Sequence, residues 1–342
     1  MGVHTPPRGR LPTPLSAAVP RGNCSTRRAN FFFPPLHLSS PLDEISMRRI
    51  VHVVLLVVLQ SLWDWTRGWS LAQPAAYAPT APWLALGMTL LLWQIMVWCT
   101  VALFGLLDGA LAGRRFCCAT RRCLAQRCGV RGKLALDDGK LEPPFCRQLP
   151  VAVSNMVMVN VVVITVFAAL QRWSPGWFVA EPPRATFVAR LGWSFVYTAR
   201  HFLTADLFFY AGHWAMHRVP ALQKLHRLHH SSSASCAIAG YYMSPLDFAL
   251  EHGPIFISWT LWRTVGASWP ISVVVGTWNL LATHSGWDLA WGPDPRDHWL
   301  HHNGGRRGVE SNLGIFLDHL FGTKVKMPVA GALSARCRPL YI

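Results

Sequence analysis

Residues 81–107 form a stretch of about 27 residues without one charged side chain. A helix needs about 20 apolar residues to cross the hydrocarbon core of a bilayer. Inside that core every backbone polar group must be satisfied within the segment, so such a stretch is helical. Similar runs cover residues 150–170 and 191–214, the latter interrupted by Arg200, His201 and Asp206. A shorter run covers 50–63, and 253–283 is long enough for a tight helical hairpin with Gly266 and Pro270 at its tip. The expected fold class is therefore an all-α integral membrane protein with about four transmembrane helices plus a hairpin. Composition agrees: 51% of residues are hydrophobic and only 14% are charged, against about 25% charged in an average soluble domain.

The charge distribution orients these spans. The 113–148 loop carries Arg114, Arg115, Arg121, Arg122, Arg127, Arg131, Lys133, Lys140 and Arg147, whereas the 64–80 loop has Arg67 as its one base. The positive-inside rule makes the first loop cytosolic and the second lumenal. This accounts for the net charge of +16 without nucleic acid, for which no recognition motif is present. Five of the nine cysteines, Cys117, Cys118, Cys123, Cys128 and Cys146, fall in the basic loop. They follow no disulfide framework, and Cys117 and Cys118 are juxtamembrane candidates for acylation.

Four regions are expected. Residues 1–46 are a basic, Pro- and Arg-rich extension expected to be disordered, with a composition that also suits a transit peptide. Residues 47–149 hold the first spans and the basic loop, 150–325 a catalytic domain, and 326–342 a tail.

Twelve of the fifteen histidines follow residue 200. On a helix at about 100° per residue, Asp206, Tyr210, His213 and His217 project within roughly 60° of one another. A polar stripe on an otherwise apolar span points to function. HRLHH at 226–230 and HWLHH at 298–302 follow. In each, the first and last histidines are four apart and share a helix face, with the middle one within a turn of both. Imidazole is the commonest metal ligand. Eight such ligands, with His284 as a natural ninth, are too many for one ion and suit two metals held close together. All three clusters fall on the cytosolic side, so the expected site is a histidine-rich helical cap over the spans. Iron, zinc, copper and nickel all accept imidazole, and spacing alone leaves that choice open.

HWAMH, HRLHH, THSGW and HWLHH, in that order, resemble the membrane-bound fatty acid hydroxylase and sterol desaturase superfamily. The resemblance covers roughly residues 150–325 and includes the NLGIFLDHLFGT ending. HHSSSASCAIAGYYMSPLDF is similar to the corresponding stretch of sterol C4-methyl oxidase-like and cholesterol 25-hydroxylase-like members. The resemblance implies a non-haem di-iron monooxygenase of the endoplasmic reticulum, or of an organelle envelope if the extension is a transit peptide. It implies lipid and sterol biosynthesis, O2 as co-substrate, and electrons from NAD(P)H through cytochrome b5 and its reductase. Metal roles carry over to His213, His217, His226, His229, His230, His284, His298, His301 and His302. Supporting roles carry over to Asp206, Tyr210, Asn312 and Asp318. Tyr241, Tyr242, Ser244, Asp247 and Trp287 are candidate substrate contacts. Three departures bear on substrate identity: Ser231 where relatives carry an acid, Ser244-Pro245-Leu246-Asp247 for a His-Pro-x-Glu motif, and Trp299 for a common Asp.

A sterol is the expected substrate, with a fatty acid or sphingolipid as the alternative. A metal-ion transporter or a non-catalytic lipid-binding protein is the reading from another class.

Overall fold

A computed structural model describes residues 54, 58, 81–109, 130–133, 142–180, 186–265, 268–289, 292–293, 295–303 and 317–323. The expected extension, the 50–63 run apart from Val54 and Val58, most of the basic loop, Asn312 and the tail lie outside the described residues.

Helix α1 (Ala81–Leu107) and helix α2 (Phe145–Trp173) are each long and apolar enough to cross a membrane. At 1.5 Å per residue each is roughly 40 Å long. Their outer faces are hydrocarbon: Leu91 and Leu106 on α1, and Val157, Val161 and Val162 on α2, are all more than half exposed. Strand β1 (Val130–Lys133) lies between them in sequence and pairs antiparallel with β4 (Trp287–Leu289). The basic loop is thereby attached beside the THSGW stretch.

Helix α3 (Phe187–Arg218) begins at Thr186, whose hydroxyl accepts from the Ala189 amide. It stops at Val219 because Pro220 disfavours the helical conformation in the residue before it. Helix α4 (Pro220–His226) follows, with its proline at the first position, where no amide is missed. Two 3-10 turns, His229–Ser231 and Ala237–Tyr241, lead to helix α5 (Pro245–Trp262). Ser244 caps α5 by accepting from the Asp247 amide. Arg263, in the left-handed region at φ 58°, ends it. The short β3 (Thr264–Val265) pairs with β2 (Val179–Ala180). Helix α6 (Ser268–His284) then returns, followed by β4, helix α7 (Arg296–Asn303) and helix α8 (Leu317–Leu320).

The α5–α6 pair is the expected reversal, with two corrections. Its first arm starts at Pro245 rather than at residue 253, and the chain turns at Arg263–Val265. Pro270 is the third residue of α6, where the first turn of a helix tolerates it; Gly266 is outside the described residues. The arms also face different neighbours, since α5 packs chiefly on α3 and α6 chiefly on α1. The reversal is therefore splayed rather than tight.

The C-terminal ends of α3 and α6 and the N-terminal end of α5 meet at one end of the bundle. At the other end, the Arg200 guanidinium lies 4.3 Å from the Tyr197 ring and 4.9 Å from that of Trp262. There Arg263 lies 4.3 Å from the Trp177 ring. Aromatic rings with arginines beside them suit a membrane–water interface.

Between the ends, buried polar groups fix the geometry. Asn155 of α2 donates to the carbonyls of Tyr241 and Met243, at 3.1 and 2.9 Å. The Trp93 indole of α1 donates to the Tyr241 hydroxyl at 2.8 Å. Gly240 sits so close to α6 that an added Cβ would stand 3.0 Å from Leu280 Cγ and 3.2 Å from His284 Nδ1.

Candidate metal centre

The end where α3, α5 and α6 meet gathers nine histidines into two groups. His213, His217, His226, His230 and His301 form the first. His229, His284, His298 and His302 form the second. Within each group the ligand atoms all lie within 4.8 Å of one another.

Helix periodicity explains the first level of this order on α3 and α7, and the turn and 3-10 segment that follow α4 do the same between His226 and His230. His213 and His217 are one turn apart on α3, with Nε2 atoms 3.2 Å apart. His226 and His230 are also four apart, with Nε2 atoms 2.9 Å apart; His298 and His302 repeat this at 3.0 Å. The middle histidines do something the spacing does not show. His229 joins the group of His298 and His302, and His301 joins that of His226 and His230. Each HxxHH segment thus contributes to both groups. The chain tightens into a 3-10 turn at His229–Ser231, which directs His229 away from its neighbours.

The Nδ1 partners define the proton positions. His284 Nδ1 donates to the Leu280 carbonyl at 2.7 Å, and His302 Nδ1 donates to the Ser232 carbonyl at 3.1 Å. His226 Nδ1 faces both Asp247 oxygens, at 3.0 and 3.1 Å. A neutral imidazole with its proton on Nδ1 presents a bare lone pair at Nε2. His284 Nε2 then points at His298 Nε2, 2.8 Å away, and at His229 Nε2, 3.2 Å away. His302 Nε2 also points at His298 Nε2. One ring proton on His298 cannot serve both neighbours. A cation resolves that conflict. Bonds of 2.0–2.1 Å to imidazole place two ligand nitrogens about 2.9 Å apart at right angles and about 3.4 Å apart at the tetrahedral angle. The observed separations match this range, so the residues fit two metal ions.

Electrostatics favours the same state. Burial, reinforced by the neighbouring histidines, pushes His229, His230 and His302 well below the ordinary imidazole range. The neutral form is the one that ligates.

Two supports were not visible in the sequence. Glu142, just ahead of α2, accepts from the hydroxyls of Ser232 and Ser233 at 2.6 Å each, from the Ser233 amide at 2.8 Å and from the Ser235 hydroxyl at 3.1 Å. The serine run after the second cluster is thus folded around one carboxylate, and its Ser232 carbonyl in turn holds His302. The only signal was the run SSSAS itself, which gives no hint of its acceptor. The second support is Asp247, completely buried against His226.

The expected supporting residues divide. The Tyr210 hydroxyl donates to Thr323 Oγ1, which donates to Asp318, at 3.0 and 2.8 Å. The Tyr210 and Phe321 rings stack with centroids 5.2 Å apart. Tyr210 and Asp318 therefore tie the LDHLFGT segment to α3. Asp206 is buried and lines a cavity beside the histidines.

Of the five candidate substrate contacts, Tyr241 also lines that cavity, and Tyr242, Ser244, Asp247 and Trp287 do not. Ser244 caps α5, Asp247 engages His226, and the Trp287 indole donates to Asp108. Those side chains are occupied in building the site.

Comparison with known sequences bears directly on this arrangement. Residues 198–323, which span the three histidine clusters, match the fatty acid hydroxylase family. This match supports the resemblance to the fatty acid hydroxylase and sterol desaturase superfamily. Among curated proteins, the chain is 29% identical over 140 residues to a very-long-chain aldehyde decarbonylase of Oryza sativa, in both subspecies indica and japonica. It is 28% identical over 141 residues to a putative methylsterol monooxygenase of Dictyostelium discoideum. Each match covers 36% of this chain and 49% of the relative, so the chain spans about half the length of these proteins. No solved structure matches the chain significantly. Among the described residues, two helices are long and apolar enough to cross a membrane, which agrees with that resemblance.

Proposed function

We propose that the protein is a membrane-bound di-iron monooxygenase that oxidises an unactivated C–H bond of a lipid, with O2 as co-substrate. In this reading electrons come from NAD(P)H through cytochrome b5 and its reductase, and the site faces the cytosol from the endoplasmic reticulum. The observation that carries it is the gathering of nine histidines into groups of five and four. His213, His217, His226, His230 and His301 would hold one iron, and His229, His284, His298 and His302 the other.

When bound, iron supplies the O2 activation and C–H oxidation that no protein side chain performs. The chain's own residues do the rest. Asp247, the Leu280 carbonyl and the Ser232 carbonyl fix the tautomers of His226, His284 and His302. Glu142 holds the loop that carries Ser232. The surrounding helices bury His213, His226, His229, His284, His301 and His302. The adjoining cavity, with Trp93, Phe202, Phe209 and Tyr241 in its wall, positions an apolar substrate beside them.

The sterol expectation came from the HHSSSASCAIAGYYMSPLDF resemblance, and within that stretch Ser244 and Asp247 have other partners here. The substrate class is taken up below.

The deciding experiment supplies iron-loaded protein in microsomes with NADPH, cytochrome b5, 18O2 and labelled sterols, fatty acids and ceramides. Label from 18O2 is expected in a lipid product. Iron-replete protein that oxidises none of the three classes overturns the proposal. Orientation has its own test. Tags in the 113–148 loop and after Ile342 are expected to face the cytosol, and a tag near Glu181 the lumen. Opposite sides for the loop and the C-terminus would contradict the cytosolic site.

A further inference from the structure

A second cavity lies on the other side of α5. It is a groove of about 1190 Å³, open space included, among α2, α5, Leu86 of α1 and Trp269 of α6. Its wall is hydrocarbon and aromatic apart from Thr260, whose hydroxyl donates to the Phe256 carbonyl at 3.0 Å. Its rim includes Val162, Val166, Ile257 and Leu261, each 42–55% exposed. The groove therefore opens sideways onto the hydrocarbon surface of α2 and α5.

One side chain, Phe256, lines both this groove and the cavity beside the histidines. At about 100° per residue, Glu251, His252 and Ile255 form one face of α5, and Ala249, Gly253 and Thr260 another, roughly 130° away. Phe256 falls on the boundary. Its ring packs edge-on against Trp259 at 4.9 Å, and Trp259 stacks on Trp269 at 4.6 Å. The inner cavity reaches the metal centre at two points: Glu251 is 3.6 Å from His226, and the Leu280 carbonyl holds His284.

We propose that the lateral groove holds the far end of the lipid substrate's unbranched hydrocarbon chain, and that the Phe256 ring is the gate around which the chain turns into the inner cavity. The inference rests on the lipid-oxygenase reading and narrows its substrate to an acyl or alkyl chain. The two cavities lie on different faces of one helix, so an occupant of both must bend around that helix. A flexible chain does this and a fused ring system does not. The inner cavity carries the polar side chains Asp206, Glu251, His252, Ser272 and Thr277, whereas the groove has the Thr260 hydroxyl, which donates to the Phe256 carbonyl. The wall shared at Phe256 and the opening onto the hydrocarbon surface make the groove the outer half of one binding path.

Photo-crosslinking tests this with the full chain in nanodiscs, using fatty acids of graded length that carry a diazirine at the methyl end, and a diazirine sterol as comparison. Adducts of the short probes are expected on inner-cavity residues such as Phe202 and Val273, and adducts of the long ones on Val162, Gly253 and Thr260. Phe256→Trp is expected to lower the long-to-short labelling ratio on the order of tenfold, the size of a one-methylene misfit in an apolar pocket. Gly253→Leu is the second variant. A Cβ there meets nothing within 4 Å, so it fills the groove without a clash and should lower the same ratio.

Long-chain adducts confined to the inner cavity overturn the proposal, as does groove labelling by the sterol alone, or a length profile unchanged in both variants. Labelling needs no turnover. Correct labelling without lipid oxidation would fail the oxygenase reading alone, and oxidation with an unchanged length profile would fail the gate alone.

Discussion

His229→Ala is expected to halve the metal content of the purified protein and to reduce lipid oxidation by at least about 100-fold, beyond the 10–100-fold typical of losing a ligand's supporting partner. The second group has four histidines, and three remain when His229 is removed. His301→Ala should behave differently. Its group of five retains four ligands, so metal is held more firmly while turnover falls as far. Both residues are the middle histidines of their segments, and helix spacing alone would treat them as equivalent. Metal analysis by mass spectrometry beside the 18O2 assay separates them. Equal metal retention in both variants would contradict the four-and-five division, and full activity in either would sink the di-metal site.

Glu142→Ala should have the next largest effect. The carboxylate accepts from three serine hydroxyls, one amide and the Gln148 side chain. A hydrogen bond to a charged group contributes about 1.5–3 kcal/mol, and each buried group stranded by its loss costs about 1–3 kcal/mol. Shared over the cluster, a local loss on the order of 4 kcal/mol is expected. The 231–235 loop should open to protease, and His302 should lose its Ser232 partner. Iron retention and turnover should then fall by about 10–100-fold. Glu142→Gln keeps one carbonyl acceptor and should lie between alanine and the native residue. Native protease resistance and iron content in Glu142→Ala would refute the role.

These two predictions mark where the sequence was readable. The apolar runs at 81–107 and 150–170 became α1 and α2 because a charge-free stretch of that length has few alternatives. The i, i+4 histidine pairs came together because helix geometry is local. The exchange of His229 and His301 was not legible, since it depends on a 3-10 turn and on how α7 packs. Glu142 was hidden for a related reason: a single acidic residue before Pro143 and Pro144 carries no pattern, and its partners are some ninety positions away. Asp247 was read as a substrate contact because its place in the altered motif was visible and its neighbour His226 was not. The reversal after α5 was expected from length, but its splay depends on side chains of α1 and α3 that periodicity does not reveal.

The hold of Glu142 on the serine loop has a consequence for what counts as a domain here. The stretch recognisable by kinship begins at residue 198. Glu142, Asn155 and Trp93, which secure the 231–243 segment, all precede it. A fragment cut at the recognisable boundary would contain every histidine of the centre and still be half an object. What is inherited as a unit of sequence is not a unit of folding, and the earlier helices are part of the chassis on which the histidines are mounted.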